Sequence, residues 1–186
     1  MNHELILGGQ RSGKSRAAEL RAAAWLAAPG SDAVLIATAL PGDAEMQARI
    51  ARHRIDRAAR APGLATDEVP RALAQAIARH SAPQRLVLVD CLTLWLTNLL
   101  MPISGAALTA EACAAEITAL DRALQSAPGP VVLVSNEIGL GLAPMSPEAR
   151  RFVDELGRLH QLLAQRCGRV TLMVAGIAMA VKREAL

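Results

Sequence analysis

The residues whose types and spacing most clearly point to chemistry are Gly8, Gly13, Lys14 and Ser15, in the order G-x-x-x-x-G-K-S. They follow the apolar run Leu5–Leu7 and precede an alanine-rich stretch of high helix propensity. Glycines at both ends let successive backbone N–H groups turn inward as a nest for phosphate oxygens, and the following helix N-terminus adds partial positive charge. Lys14 would reach the terminal phosphates and the Ser15 hydroxyl would ligate Mg²⁺. The stretch predicts a phosphate-binding loop (P-loop) that binds a nucleoside triphosphate.

An ordinary strand-to-helix turn is the alternative for this stretch. Average residue usage gives the pattern by chance in roughly one chain of this length in 150, and the flanking strand and helix lower that chance further. The chain has only two lysines, Lys14 and Lys182, and one of them occupies the position that the pattern requires. We therefore favour nucleotide binding over a plain turn.

A second candidate for phosphate chemistry is Asp90, which ends the apolar run Leu86–Val89. A buried strand ending in a carboxylate has the form of a Walker B strand, whose aspartate holds Mg²⁺ directly or through water. The alternative role is a helix N-cap. Given the loop at residues 8–15, we favour the metal role and expect Ser15 and Asp90 to share one Mg²⁺ site.

A third candidate is His53, which follows Met46 by seven residues on one side of a predicted helix over residues 43–60. From this pattern alone, such a histidine is a partly buried core or interface residue. The chemical alternative is a nucleophile, because a histidine is partly neutral near pH 7 and a neutral imidazole can attack phosphorus. Arg52, Arg54 and Arg57 could neutralise phosphate charge, or they could form a solvated basic face.

The elements that must position these residues follow from apolar runs that alternate with helical patterns, which predicts a parallel α/β sheet with helices on both faces. Ligands bind such sheets at the carboxyl ends of the strands, where Thr38, Asp90 and Asn136–Glu137 should converge with the loop. We expect one domain over residues 1–186. The predicted strands after the loop are 33–37, 64–69, 86–90, 131–134 and 170–174, the last being the final strand.

Composition limits the class of protein. The 186 residues carry a net charge of +3, and 52% of them are hydrophobic, which argues against disorder. We expect no nucleic-acid partner, because the arginines are spread along the chain and only one Phe, two Trp and no Tyr are available for base stacking. No apolar run reaches the length of a membrane span. The three cysteines lack metal-like spacing and no secretory signal is recognisable, so we expect a cytoplasmic protein with reduced thiols.

Several motifs together resemble one family, the bifunctional adenosylcobinamide kinase/adenosylcobinamide-phosphate guanylyltransferases of cobalamin synthesis. The resemblance runs nearly end to end and is more specific than the loop alone. It rests on Gly8–Arg16, Ile36–Thr38, Glu45-Met46 with Arg49-Ile50 and His53-Arg54, Asp90–Leu100, and Val134–Glu137.

The resemblance implies a RecA-like P-loop fold, a homotrimer and two activities. The first phosphorylates the aminopropanol hydroxyl of adenosylcobinamide, a corrinoid, with ATP or GTP. The second transfers GMP from GTP to that phosphate, giving adenosylcobinamide-GDP and pyrophosphate. GMP passes through a covalent phosphoramidate on a histidine, and His53 matches that histidine.

The family's other nucleotide contacts also map onto this sequence. Glu68 matches a nucleotide-binding glutamate, and Asp90 matches the acidic residue that ends the Walker B-like strand. The remaining matched positions are Gly8, Gly9, Gln10, Arg11, Ser12, Gly13, Lys14 and Ser15 in the loop, Ala37, Thr38 and Ala39 in a second segment, and Arg54, Ile55, Asp56 and Arg57 after the histidine.

The chain departs from the family pattern at several positions. Leu64 replaces an expected Trp, His160 replaces an expected Asn, and the segment between His53 and Glu68 is about three residues longer than expected. These differences concern substrate contacts rather than the class of reaction. Of the remaining histidines, we expect His3 and His80 at the surface and assign no position to His160.

Two other functions compete with the bifunctional enzyme. A P-loop kinase for another small molecule would leave His53 with a structural role. A non-catalytic nucleotide switch would hydrolyse GTP without modifying a corrinoid. The bifunctional hypothesis also requires GTP to be cut at its γ-phosphate in one reaction and at its α-phosphate in the other. A helix that moves between Pro41-Gly42 and Pro62-Gly63 would allow two nucleotide poses.

Overall fold

The computed structural model describes residues 3–183, which alternate between strands and helices. The strands are β1 (Glu4–Gly8), β2 (Asp32–Ala37), β3 (Ala65–Glu68), β4 (Arg85–Asp90), β5 (Val131–Val134), β6 (Arg169–Val174) and β7 (Ile177–Arg183). The helices are α1 (Lys14–Leu26), α2 (Ala44–Arg60), α3 (Leu73–His80), α4 (Leu92–Leu100), α5 (Ala110–Ser126) and α6 (Pro147–Arg166).

The seven strands form one sheet in the order β3-β2-β4-β5-β1-β6-β7. The strands β1 to β6 pair in parallel, and β7 pairs antiparallel with β6 at the sheet edge. The expectation that 170–174 is the final strand is therefore wrong. A two-residue turn at Ala175 and Gly176, both with positive φ, reverses the chain into β7. This pair is not a strong hairpin signal such as Asn-Gly, so the turn could not be recognised from the sequence.

Alternation along the strands divides the core into two layers. Leu5, Ile36 and Val89 belong to a cluster that includes residues of α3, α4, α5 and α6. Their neighbours Ile6 and Leu88 belong to a second cluster on the opposite face, packed against α1. The continuous apolar runs thus reflect strands buried on both faces, and the predicted mostly parallel α/β sheet is confirmed.

Helix α2 differs from the other helices because none of its residues is buried, although its polar and apolar residues lie on separate faces. Asp43 caps its N-terminus by accepting a hydrogen bond from Met46 N at 2.7 Å. At the other end, Arg60 donates to the buried Glu19 of α1 at 2.7 Å. The helix is therefore joined to α1 at its C-terminal end and is not packed on the core along its length.

His3 is buried, so the expectation of a surface position is wrong. Its Nδ1 accepts a hydrogen bond from Val131 N at 3.1 Å, and its Nε2 lies 3.0 Å from Leu124 O. Both contacts are satisfied by a neutral ring with its proton on Nε2. Burial lowers the pKa of His3. Its partners at the start of β5 and in α5 lie far away in sequence, so the sequence did not predict this contact.

Candidate active site

The loop between β1 and α1 has the backbone conformation of an anion-binding nest. Gly8 has φ +151°, and a Cβ there would lie 2.5 Å from the backbone oxygen of Met173. Gly13 has φ +99° at the N-cap of α1, and it has no side chain to compete for the helix N–H groups that follow it. Only glycine fits both positions without strain. The local sequence thus fixes a loop that presents backbone N–H groups at a helix N-terminus.

The turn between β6 and β7 supports this loop. Gly176 N donates to Ser12 O at 3.0 Å, and a Cβ on Gly13 would lie 3.4 Å from Gly176 Cα. On the opposite side, Glu137 N donates to Gly8 O at 3.0 Å. Backbone bonds from two other segments therefore hold the loop at both ends. The sequence predicted that Asn136–Glu137 converge with the loop, but it did not predict the contact from Gly176.

Lys14 is folded back onto the loop and is only 7% exposed. Its ammonium donates to Gly9 O at 2.6 Å and lies 3.5 Å from Ser12 Oγ. Burial lowers the pKa of Lys14, and the nearby Asp90 carboxylate opposes that shift. A bound phosphate would compete with these neutral oxygens for the ammonium, and a charged acceptor is the stronger partner.

A cleft of about 700 Å³ opens between α2 and the carboxyl ends of β2, β3 and β4. His53 lies in its wall and is half-buried. Residues three, four and seven apart on α2 share one helix face, which explains why this helix supplies much of the lining. The lining residues are Ser15, Leu35, Ala37, Ala39, Met46, Arg49, Ile50, His53, Arg54, Arg57, Thr66, Glu68, Asp90, Cys91 and Leu94.

Glu68 on β3 and Arg54 on α2 form an ion pair beside the cleft. Both side chains are 59% exposed, so the pair adds little to stability. It brings an anionic and a cationic group together in the cleft wall, which also contains His53. The cleft thus contains two of the sequence-predicted nucleotide contacts that are distant from the loop in sequence.

Ser15 and Asp90 line the same cleft. A hydroxyl and a carboxylate are hard oxygen donors of the kind that Mg²⁺ accepts, and Mg²⁺ usually takes few protein ligands and completes its shell with water and phosphate oxygens. Among residues 3–183, no cluster of three or more His, Cys, Asp or Glu side chains forms a ready-made metal cage. The two residues therefore fit a magnesium ion that is bound together with a nucleotide.

Thr38 is fully buried and its hydroxyl is already used within the protein. Its Oγ1 donates to Cys91 O at 2.7 Å and accepts from Cys91 N at 2.9 Å. Asn98 Nδ2 donates to Thr38 O at 2.8 Å and to Pro70 O at 3.0 Å. Thr38 thereby ties the end of β2 to the end of β4, next to Asp90, and its neighbours Ala37 and Ala39 line the cleft in its place.

Other predicted positions lie outside the cleft. Ile55 is 72% exposed, and Asp56 pairs with Arg60 at 3.2 Å, so the structure does not bring these two into the lining. Helical periodicity explains this, because Arg54 and Arg57 share a face that Ile55 and Asp56 do not. In the loop, Gly9, Gln10 and Arg11 are exposed and Ser12 is buried.

The sequence did not single out Arg49 and Cys91 as site residues, although both line the cleft. Arg49 lies three residues after Met46 and four residues before His53, so it shares their face of α2. This spacing could have identified it from the sequence. Burial raises the pKa of the Cys91 thiol to about 12, and the charge of Asp90 adds to the effect. The thiol stays protonated at neutral pH and does not act as a nucleophile.

Comparison with known proteins decides the family of this chain. Residues 4–181 match the family described as cobinamide kinase / cobinamide phosphate guanyltransferase. The chain belongs to this family. The family resemblance inferred from the motifs around the loop, His53 and Asp90 is thus confirmed.

Named relatives of this kinase/guanyltransferase family align over almost their full length. The bifunctional adenosylcobalamin biosynthesis protein CobP of Pseudomonas aeruginosa is 49% identical over 183 residues, which cover 98% of this chain and 99% of that protein. The bifunctional adenosylcobalamin biosynthesis protein CobU of Escherichia coli is 39% identical over 186 residues, covering 96% and 98%.

Solved structures with low sequence identity share the fold. The flagellar accessory protein FlaH from Methanocaldococcus jannaschii has a TM-score of 0.53 at 10% identity and covers 98% of this chain and 79% of that one. A second solved structure, described as an ATPase domain, has a TM-score of 0.51 at 14% identity, with coverages of 92% and 68%. The RecA-like P-loop fold is therefore confirmed for this family member. No helix within residues 3–183 is long and apolar enough to cross a membrane.

Proposed function

We propose that this protein phosphorylates adenosylcobinamide with ATP or GTP and then transfers GMP from GTP to the new phosphate, giving adenosylcobinamide-GDP. The observation that carries the proposal is that one cleft in a member of this family contains Ser15, Asp90 and His53 together. The first two suit a nucleotide phosphate site, and the third supplies a nucleophile beside it.

In the kinase reaction, an oxygen of the aminopropanol hydroxyl attacks the γ-phosphorus while the bond to the β-phosphate oxygen breaks. The protein contributes position and charge rather than covalent chemistry. The loop N–H groups and Lys14 hold the phosphates, and Lys14 leaves its contact with Gly9 O to do so. Donors of this kind stabilise the charge that develops in the transition state.

In the guanylyl transfer, His53 attacks the α-phosphorus of GTP, an N–P bond forms and pyrophosphate leaves. An oxygen of adenosylcobinamide phosphate then attacks the same phosphorus and releases His53. The covalent intermediate divides one difficult transfer into two easier steps. Arg49, Arg54 and Arg57 line the cleft together with His53. Arg49 and Arg57 can pair with the phosphates directly, whereas Arg54 would exchange its ion pair with Glu68 for a phosphate.

The two reactions require GTP in two positions relative to His53, since one cleaves at the γ-phosphate and the other at the α-phosphate. We propose that α2 moves between them. The absence of buried residues on α2 supports this proposal, and Arg60, which bonds Glu19 of α1, holds its C-terminal end. A helix with few buried apolar contacts is displaced at low cost.

A magnesium ion held by Ser15 and Asp90 forms part of the proposal. When bound with the nucleotide, such an ion neutralises phosphate charge in the transition state. Ser15 lies in the first turn of α1, directly after the loop. Asp90 is followed by Cys91, whose backbone N and O both hydrogen-bond to the hydroxyl of Thr38. The protein's role is to present these two oxygens at the phosphate end of the cleft.

We also propose that the protein is a cytoplasmic homotrimer in which each chain forms a single domain. The edge strand β7 supports association, because its alternate residues Ile177, Met179 and Val181 are 68%, 52% and 65% exposed. An edge strand with an exposed apolar row is a surface that proteins cover. Sedimentation of the intact protein tests the trimer directly.

The function is tested by incubating the protein with adenosylcobinamide, ATP and GTP and separating the corrinoid products. The proposal predicts two products in sequence, adenosylcobinamide phosphate and adenosylcobinamide-GDP. Formation of adenosylcobinamide phosphate alone would show that the protein is a kinase without guanylyltransferase activity. GTP hydrolysis with an unchanged corrinoid would support a nucleotide switch and contradict the proposal.

A further inference from the structure

Glu137 is a carboxylate at the centre of the phosphate end of the sheet that the mechanism above does not use. It follows β5, which lies between β4, ending in Asp90, and β1, ending in the loop. Its backbone N donates to Gly8 O at 3.0 Å, and its side chain is 24% exposed. The carboxylate is thus fixed beside the loop and remains open to a ligand.

A row of polar side chains leads from the backbone to this carboxylate. Thr93 Oγ1 accepts from Asn136 N at 2.8 Å and lies 3.2 Å from Ser135 Oγ. Ser135 Oγ lies 2.7 Å from His160 Nε2. His160 Nδ1 faces Glu137 Oε2 at 3.7 Å, which is longer than a hydrogen bond but close enough for electrostatic attraction.

A neutral His160 with its proton on Nδ1, facing Glu137, sets the direction of the hydroxyl protons in this row. The Asn136 N–H can only donate, and an ionised Glu137 can only accept. Between them, Thr93 donates to Ser135, Ser135 donates to His160 Nε2, and Nδ1–H points at Glu137. Burial lowers the pKa of His160, although Glu137 opposes the shift, and a neutral ring is what this arrangement requires.

Ser135, His160 and Glu137 could be taken for a Ser–His–Glu nucleophilic triad. Burial excludes that role, because Ser135 is 0% exposed and its oxygen cannot reach a substrate. The carboxylate of Glu137, at the other end of the row, is 24% exposed and meets solvent. The row therefore positions the carboxylate of Glu137 and does not activate Ser135 as a nucleophile.

We propose that Glu137 is the catalytic base of the kinase reaction and that His160 is its positioning residue. This inference rests on the proposed function. Glu137 accepts the proton of the attacking hydroxyl as the new O–P bond forms, and the bond between the γ-phosphorus and the β-phosphate oxygen breaks to release the nucleoside diphosphate. Gly139 N, which donates to Glu137 Oε1 at 2.7 Å, and His160 hold the carboxylate from two sides.

The test of the base is Glu137→Gln, which retains an oxygen for Gly139 N but cannot accept the proton. A positioned base contributes about 10²–10⁴-fold, so the kinase kcat should fall at least about 100-fold with little change in KM. Guanylyl transfer to adenosylcobinamide phosphate supplied ready-made needs no hydroxyl deprotonation and should stay within about twofold. Glu148→Gln, at an exposed position in the first turn of α6, is the matched control.

His160 is tested with two amides of different reach. His160→Asn places an amide near the position of Nδ1 and keeps a donor beside Glu137. His160→Gln reaches Ser135 instead and leaves the carboxylate without that donor. We expect the kinase kcat to survive in the Asn variant and to fall about tenfold in the Gln variant, at unchanged KM, as for a misplaced catalytic group.

The outcomes separate this inference from the proposed function. Wild-type protein that leaves adenosylcobinamide unphosphorylated would refute the proposed function itself. An active wild type with a Glu137→Gln kinase kcat within about threefold of it would refute the base. Parallel loss of both activities with a lower melting temperature would show a structural role for Glu137 and would equally overturn the inference. Equal kinase activity in both His160 variants would show that His160 does not position Glu137.

Discussion

The link between Thr38 and Cys91 makes a prediction about a residue that the family resemblance assigns to nucleotide contact. Thr38→Val preserves the shape of the side chain and removes its hydroxyl. Cys91 N then loses its partner at 2.9 Å in a buried position. Cys91 O loses the bond at 2.7 Å but keeps Trp95 N at 3.1 Å.

The magnitude follows from these two losses. An orphaned buried N–H costs about 1–3 kcal/mol, and the loss of one of two bonds to a carbonyl costs about 1 kcal/mol. We expect Thr38→Val to lower the free energy of unfolding by about 2–4 kcal/mol, which for a chain of this size lowers Tm by roughly 4–15 °C. Thr38→Ser keeps both bonds and loses one methyl group, so it should cost only about 1 kcal/mol.

The assay is denaturant unfolding of both variants at one protein concentration, together with the KM for GTP. The structure predicts that Val is clearly less stable than Ser, with a KM for GTP that changes less than about threefold where the protein is folded. If Thr38→Val is as stable as Thr38→Ser but has a KM for GTP about tenfold higher, the hydroxyl binds nucleotide. That result would refute the structural role of the link between Thr38 and Cys91.

Three further changes test other parts of the structure. Lys14→Ala should abolish phosphorylation of adenosylcobinamide, because the γ-phosphate loses its charge partner in the transition state; wild-type kinase rates would remove Lys14 from the mechanism. Asp90→Asn should raise the Mg²⁺ concentration needed for half-maximal activity, whereas unchanged Mg²⁺ dependence would leave Asp90 with a structural role. Because burial lowers the pKa of His3 from 6.5, the unfolded chain binds a proton that the folded chain excludes, and stability should fall as pH drops below about 6.5 by up to about 1.4 kcal/mol per pH unit. His3→Gln should reduce that slope in urea unfolding followed between about pH 7 and pH 5, while the contribution of the buried His160 remains. An unchanged slope would contradict the assignment of His3 as a buried neutral ring.

The parts of the fold that could be predicted from the sequence are those determined by local pattern. The runs 33–37 and 131–134 are continuous and apolar because both faces of their strands are covered, and they match β2 and β5 closely. The helix predicted over residues 43–60 begins at Ala44, after the Asp43 cap. Strand β7 was missed because its turn, Ala175-Gly176, has no distinctive composition and its alternate apolar residues are exposed.

The site residues likewise fall into those that local sequence determines and those that depend on distant partners. The loop and Asp90 were predicted because strand ends and glycine conformation are local properties. The roles of Thr38 and His160 depend on partners 53 and 25 residues away, Cys91 and Ser135, which no local pattern brings together. The assignment of His53 came from resemblance, since from the pattern alone it was an ordinary half-buried helix residue.

The most direct test of the proposed mechanism is whether His53 carries GMP. Protein is incubated with GTP that bears a radiolabel on its α-phosphate, denatured and freed of unbound nucleotide. We predict that label stays on the wild-type protein in alkali and is released in acid, because a phosphoramidate leaves readily only when its imidazole is protonated. His80→Gln, which changes a histidine of α3 that is paired with Asp67 of β3, should label normally.

GTP labelled on its γ-phosphate should leave no label on the protein, since pyrophosphate departs. His53→Ala should lose both the label and adenosylcobinamide-GDP formation while it retains kinase activity, which needs no histidine nucleophile. Label that persists in His53→Ala, or guanylyl transfer that continues without His53, would contradict the covalent mechanism and leave only the kinase.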